Sequence, residues 1–529
     1  MARNGAIATS QPLATAAGLK VLQDGGNAID AAVTAAAVLS VVEPTMNGPG
    51  GDLFAIVYSA KDHKVHGLNA SGRAPAAATL DEFKKRNLQH VPLRGELSVS
   101  VPGVVDGWNE LLTKHGTRTL AQALEPAIRY ARDGYAVSEI IAGQWKEVEN
   151  LLSRDAKTAA VFLPGGKAPA PGDVFKNPAL ASSLEQIARG GRDVFYKGAI
   201  AKAIADDMQR RNGLLTAKDL ADHHADWVEP LSTTYRGYQV LELPPNTQGV
   251  TALEMLNILE GFDLKSLGHN TAAYLHVMVE AKKIAFADRG AWIGDPSTTP
   301  PKAIERMLSK EYAAERRKEI NPDKASEYKA LTLTGTAAPP ADPEPAGRGD
   351  TIYMTAADSQ GNVISLIQSL YETFGSGIVA GDTGIVLHDR ANLFSLTPGH
   401  PNQIAPGKRP FHTLVPAMVM KDGAPWLSFG VMGGDMQAQG HAQVLANLID
   451  FGMNIQEAGE APRFRHSGNG LALESAFTAD ARNGLTARGH HVTGGTGAWG
   501  GFQGILIDPK TRVLMAGSDP RKDGMAAGW

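Results

Sequence analysis

The sequence predicts an α/β fold with antiparallel pairing, and three observations carry that prediction. Residues 351–357 and 363–371 read as two strands around Asp358-Ser-Gln-Gly361-Asn362, a hairpin with a slightly long loop. Residues 417–420 and 426–429 form a second pair around a Lys-Asp-Gly turn. Upstream, residues 27–42, 104–133, 179–213 and 249–289 carry helical patterns with few breakers. Turns this short join antiparallel neighbours, whereas parallel strands need a long crossover.

The elements follow in order. The N-terminus, Met-Ala-Arg-Asn-Gly-Ala-Ile-Ala-Thr-Ser, lacks the apolar run of a signal peptide. Residues 27–42 read as a helix closed by Glu43-Pro44, Ala-rich enough to pack tightly in a core. Within it, residues 28–42 are also the most apolar stretch, but 15 residues with Asp30 among them are too short and too polar to span a bilayer. The expectation is a soluble, cytoplasmic protein with no membrane partner; a mature chain freed of its signal is the alternative. Residues 337–350 hold four Pro followed by Gly-Arg-Gly-Asp, an extended linker. In the strand 363–371, alternation places Ser365, Ile367, Ser369 and Tyr371 on one face. After the second strand pair, Gly433-Gly434 opens a helical stretch to about Asp450.

Composition narrows the function. Of 529 residues, 43 % are apolar and 20 % charged, enough to bury a large core and unlike a disordered chain. Lys and Arg number 51 against 55 Asp and Glu. Residues 351–529 hold 12 basic and 14 acidic side chains, so both sides of the linker are near neutral. Nucleic-acid binding, which needs a clustered basic footprint, is not expected. There is no Cys. A side-chain nucleophile must therefore be Ser, Thr, Lys or a carboxylate.

Thr351, a strand's first residue directly after the linker, is either an ordinary β-branched strand starter or an N-terminal nucleophile. If the bond between Asp350 and Thr351 is cut, Thr351 gains an α-amine of reference pKa ~7.7–8.0, able to take the proton from its own Oγ. Gly433-Gly434 is either a tight turn or a pair of backbone N–H groups aimed at a developing oxyanion. The adjacent pairs His223-His224 and His490-His491 diverge on their elements, and there is no HExxH, so no metal is expected. Gly48-Pro-Gly50-Gly51 and the run from Gly494 to Gly501 lack the GK[ST] ending of a phosphate loop and read as packing turns. No cofactor is expected.

Together these motifs resemble the γ-glutamyltransferase family of N-terminal-nucleophile hydrolases, across nearly the whole chain. Gly349-Asp-Thr351, Asp358-Ser-Gln-Gly-Asn362 and Thr373-Phe-Gly-Ser-Gly-Ile-Val-Ala-Gly381 look like its nucleophile strand and the following segment. Lys408-Arg-Pro410, Met432-Gly-Gly434, Ala461-Pro-Arg463 and Ser518-Asp-Pro-Arg521 continue the match. Upstream, Gly26-Asn-Ala-Ile-Asp-Ala-Ala32, Ser100-Val-Pro-Gly103, Phe195-Tyr-Lys-Gly198 and Asn257-Ile-Leu-Glu-Gly-Phe262 match in order. The resemblance implies a four-layer αββα sandwich. It also implies a proenzyme that cuts itself between Asp350 and Thr351. Residues 1–350 and 351–529 would then form one interwoven heterodimer, with further oligomerisation left open. Thr351 would be the nucleophile of an acyl-enzyme, Gly433 and Gly434 the oxyanion hole, and Ser369 the hydroxyl that contacts the nucleophile.

The pocket departs from the family's pattern. Ser71 stands where the family places an Arg for the glutamyl α-carboxylate, with Arg73 two residues along. His412 and Thr413 replace two adjacent Ser that hold the same carboxylate. Tyr371, Arg390 and Leu393 replace the acceptors of the α-ammonium, a role that Arg and Leu cannot fill. The segment from Ser395 to His412 is shorter than in members with a lid, so a more open pocket is expected. The leading expectation is an amidase whose small-molecule substrate carries an acidic acyl group without an α-ammonium, of glutaryl or oxamate type. Arg73 or Arg390 would meet its carboxylate. A glutathione hydrolase or γ-glutamyltransferase with a differently built pocket is the alternative. A non-catalytic binding protein is a third reading, against which the retained Thr351, Ser369 and Gly pair argue.

Overall fold

A computed structural model describes residues 1–333, 337–341, 350–468, 470–495 and 499–529. Two sheets stack face to face. The seven-stranded sheet runs, edge to edge, Met525–Gly528, Gly5–Thr9, Asp350–Asp358, Val363–Tyr371, Asp52–Ser59, Lys64–Ala70 and Asp226–Val228. The six-stranded sheet runs Leu514–Ser518, Phe502–Ile507, Ala424–Val431, Ala417–Lys421, Tyr238–Glu242 and Leu231–Tyr235. Every pairing within the two is antiparallel.

Alternation along the strands sets the layers. In Asp52–Ser59, Leu53, Ala55 and Val57 face helices, while Phe54, Ile56 and Tyr58 face the other sheet. Ile352, Met354 and Ala356 likewise point outward, and Tyr353 inward. In the six-stranded sheet Ala417, Val419, Leu427 and Phe429 meet the helices, while Met418, Met420, Ile505 and Ile507 fill the space between the sheets. Helices Pro12–Gln23, Ala28–Val42 and Leu120–Asp133 pack in the outer layer of the first sheet. Helices Gly249–Leu259, Ala272–Trp292 and Met436–Ile449 pack in that of the second. The result is the αββα sandwich.

Helix Ala28–Val42 is buried along its whole length, as its small side chains allow. Asp30, the polar residue in that apolar run, completes a capping box with Asn27 and accepts from the backbone N–H groups of Thr117 and Arg118. The span 179–213 is three helices, Pro178–Gly190, Arg192–Tyr196 and Ala199–Arg210. Gly191, at φ +70°, ends the first. No helix of the described residues is long and apolar enough to cross a membrane.

Residues 337–341 have no regular structure, and the rest of the linker up to 349 lies outside the described residues. The strand begins at Asp350, one residue before Thr351. Strands from before and after the linker share both sheets, so the linker does not divide two domains.

Candidate active site

Thr351 lies at the start of its strand, 1 % exposed. Its Oγ1 donates to Ser369 Oγ at 3.2 Å. Ser369 sits on the neighbouring strand and also accepts the Tyr371 N–H at 2.7 Å. The pairing slips between Gln368 and Tyr371, so that Tyr371 faces Asp350. This extra residue is a bulge, the usual device for re-aiming a side chain. It breaks the face-sharing expected of Ser365, Ile367, Ser369 and Tyr371. Ile367 stays between the sheets. Tyr371, at φ +82°, turns into a separate cluster with Leu393 and Phe411.

On its other side Ser369 pairs with Asp52, which follows the turn Gly48-Pro-Gly50-Gly51. A Cβ on Gly51 would come within 2.4 Å of the Ser369 carbonyl oxygen, so only Gly lets this turn lie against the strand. The turn therefore delivers a carboxylate. Asp52, fully buried, accepts from Gly72 N–H at 2.8 Å through Oδ1. Its Oδ2 lies 3.1 Å from His412 Nε2 and 3.2 Å from His388 Nδ1. Burial pushes the Asp52 pKa up, but His388 and His412 together overcome it and hold the carboxyl well below its usual range. Burial and the Arg390 charge lower His412 to about 3, so at neutral pH it is a neutral donor to Asp52.

Arg390 is fully buried, its Nε 4.0 Å from Asp52 Oδ2. Its guanidinium lies 4.5 Å from the Tyr371 ring centre, a cation–π contact. One terminal nitrogen donates to Thr413 Oγ1 at 3.0 Å. Its Nε and other terminal nitrogen, and the Tyr371 hydroxyl, have no hydrogen-bond partner among the described residues. Arg73 is engaged elsewhere. It donates to Asp226 Oδ2 and to the His224 carbonyl, both at 2.9 Å. Among the described residues no hydrogen bond or ion pair joins it to Thr351, Arg390 or Thr413. Ser71 is buried, its Oγ donating to Asn69 Oδ1 at 2.7 Å.

Gly433 and Gly434 follow strand Ala424–Val431 at φ +108° and +58°, values that favour Gly. The helix starts at Met436, after one further turn, rather than at the pair itself. Among the described residues neither N–H of the pair donates to the backbone. Gln248 braces the turn, its Nε2 donating to Gly434 O at 3.2 Å and Thr413 O at 2.7 Å. Arg289 donates to Gln248 Oε1 and to Asp435 Oδ1, both at 2.7 Å. The turn, Thr413 and Arg390 are thus tied into one network.

The expectation of a more open pocket is corrected. Thr351 and Tyr371 are each 1 % exposed and Arg390 is fully buried. The short segment after Ser395 folds back through a Ser395–Gln403 bridge and inserts Phe411 beside Tyr371 and Leu393. Leu333 and Ala338, from the linker side, pack on the same cluster.

Sequence reading missed Asp52, His388, Gln248 and Arg289. Only Asp52 had a local signal, the Gly-rich turn before it. His490 pairs with His276 (2.7 Å), near Glu280, rather than with His491. The Glu280 oxygens accept from Lys283, Ser326 and Tyr328.

Comparison with known proteins identifies the family. Residues 14–529 match the family model described as Gamma-glutamyltranspeptidase. The chain is 40 % identical to the glutathione hydrolase-like YwrD proenzyme of Bacillus subtilis, over 98 % of this chain and 97 % of that one. It is 35 % identical to the glutathione hydrolase proenzyme of Escherichia coli, covering 100 % and 92 %. It is 37 % identical to the acylase ACY 1 proenzyme of Pseudomonas sp. strain SE83, covering 96 % and 90 %. The crystal structure of a cephalosporin acylase from Bacillus halodurans superposes with a TM-score of 0.93 at 42 % identity, covering 100 % of this chain and 96 % of that one.

Proposed function

The chain belongs to the gamma-glutamyltranspeptidase family and is an amidase or acyltransferase of the N-terminal-nucleophile type; within that class we propose that it acts on amides of an acidic acyl group lacking an α-ammonium. Glutaryl amides or small dicarboxylic monoamides such as oxamate fit this description. One observation carries the reading: the buried Arg390 guanidinium, two of whose nitrogens make no hydrogen bond among the described residues, beside a Tyr371 hydroxyl that makes none either. These are donors for a carboxylate, and a cation in this place repels an ammonium. A relative, the oxamate amidohydrolase proenzyme of Klebsiella pneumoniae at 34 % identity, is named for an amide whose acyl group carries no α-ammonium.

In this reading the precursor is cut between Asp350 and Thr351 into pieces of 350 and 179 residues, which stay together through shared sheets. The freed α-amine takes the Thr351 Oγ proton, and Oγ attacks the amide carbonyl. The oxyanion is received by the Gly433 and Gly434 N–H groups, and Ser369 orients the nucleophile. The ammonium returns its proton to the departing nitrogen as the C–N bond breaks. The ester on Thr351 is then released by water or by an acceptor amine. Arg390 and Thr413 hold the acyl carboxylate, and Asp52, through His412, fixes the floor beneath them. Arg73, held by Asp226, is the weaker candidate for that carboxylate.

The test compares glutaryl-p-nitroanilide with γ-glutamyl-p-nitroanilide. A higher kcat/KM on the glutaryl compound is expected. Good turnover of the γ-glutamyl compound alone would sink the proposal in favour of a glutathione hydrolase, the activity named for the Escherichia coli relative.

A further inference from the structure

His441 and Glu242 are both fully buried, and among the described residues no hydrogen bond or ion pair joins either to Thr351 or Arg390. His441 belongs to helix Met436–Ile449, which leaves the Gly433–Gly434 turn. Glu242 ends strand Tyr238–Glu242. His441 Nδ1 lies 2.8 Å from Glu242 Oε1, and His441 Nε2 accepts the Val431 N–H at 3.3 Å. These contacts settle the tautomer. Nε2 receives a proton donor, so its lone pair is free. The ring proton is on Nδ1, donated to the carboxylate.

Val431 is the last residue of its strand, two before Gly433. The neighbouring strand Ala417–Lys421 stops pairing at Phe429, so Val431 N–H extends past the ladder on that side. His441 takes the donor that the ladder leaves over. On the other side, Met432 N–H donates to Gly501 O at 2.9 Å. The approach to the turn is therefore gripped from both flanks. The imidazole grip reaches back from the helix that the turn itself begins. Phe429, 4.8 Å from the His441 ring centre, limits ring rotation.

We propose that His441, oriented by Glu242, is a positioning residue that sets the place of the Gly433–Gly434 amides during amide cleavage. The proposal rests on the reading of that turn as the oxyanion hole. Displacing such donors by ~1 Å costs on the order of 100-fold in rate, while ground-state substrate binding is hardly touched.

Two substitutions separate positioning from plain stability. His441→Gln places an amide oxygen near the Nε2 position, where it can accept from Val431, and loses the Nδ1 donor. His441→Asn keeps a donor near Nδ1 and loses the Val431 acceptor. Both disturb the buried carboxylate and should lower Tm alike. The expected result is a kcat roughly 10- to 100-fold lower in His441→Asn with KM nearly unchanged, and a near-normal kcat in His441→Gln. The probe is whichever of the two p-nitroanilides the wild type turns over faster. A kcat that simply follows Tm in both variants overturns the positioning role. A second measurement needs no substrate: in 15N-histidine NMR of the wild type, the signal lost in His441→Gln should show a neutral ring protonated at Nδ1. A ring protonated at Nε2 overturns the proposal. Thr351→Ala serves as control. If it is inactive while His441→Asn equals wild type, only the positioning role fails. If it remains active, the acyl-enzyme on Thr351 fails, and with it the oxyanion reading of the turn.

Discussion

Next to Thr351 the site is made of hydroxyls and backbone: Ser369 Oγ at 3.2 Å, and the Gly433–Gly434 turn braced by Gln248. Beyond Ser369 it is made of buried ionisable side chains: Asp52, with His388, His412 and Arg390 around it, none measurably exposed. The first region carries almost no charge to tune and works only through position. The second concentrates a carboxylate and a guanidinium in a dry interior, where each is costly unless matched. Position is held by local motifs and neighbouring strands. Charge matching depends on residues far apart in the chain. In the proposed mechanism chemistry and selectivity are therefore separable, with the Thr351 and Gly433–Gly434 motifs shared with the family in the first region.

The sharpest break comes from Thr351→Ala. It should abolish amide turnover and leave one uncut chain on a denaturing gel, where the wild type gives pieces of 350 and 179 residues. Next is Asp52→Asn, which removes the centre of the charged region and should cost about 3–5 kcal/mol at pH 7 in urea unfolding. Its pH dependence has a definite sign. The folded-state pKa of Asp52 is depressed, so its contribution is present above the unfolded value of ~3.9 and is lost as pH falls further toward the folded value. The stability gap between wild type and Asp52→Asn should thus narrow only in strong acid. Arg390→Gln comes third. Losing a charge-assisted contact worth about 1.5–3 kcal/mol should lower kcat/KM on the acidic acyl probe roughly 10- to 150-fold and leave autocleavage intact. If cleavage fails as well, the two regions are not separable. Arg73→Ala should do least. Its part-exposed pair with Asp226 is worth below about 1 kcal/mol, and turnover should stay within about twofold. A large loss there would move Arg73 into the pocket.

The hairpin 350–371, the strands around Lys421 and the helix at 28–42 were legible because each is specified by its own alternation, turn and cap. The breaks within 179–213 fell at glycines that a periodicity window passes over. In the pocket, the sequence named Arg390, Tyr371, His412 and Thr413 by correspondence with a family pattern, but not what they would touch. The Asp52 contacts join residues more than 300 positions apart to the strand holding Ser369. Nothing local distinguishes such a carboxylate from a surface turn. The bulge before Tyr371 was equally hidden, since alternation alone continues through it.

The packing of Leu333 and Ala338 on the cluster of Tyr371, Leu393 and Phe411 has a kinetic consequence. In the proposed maturation, severing the chain after Asp350 and uncovering the pocket are two events with two clocks. The first is a covalent step at Thr351. The second is the departure of an apolar strap, whose rate depends on the surface it gives up and on temperature. A freshly cut molecule is then a plugged one, and amide turnover should lag behind the appearance of the smaller piece.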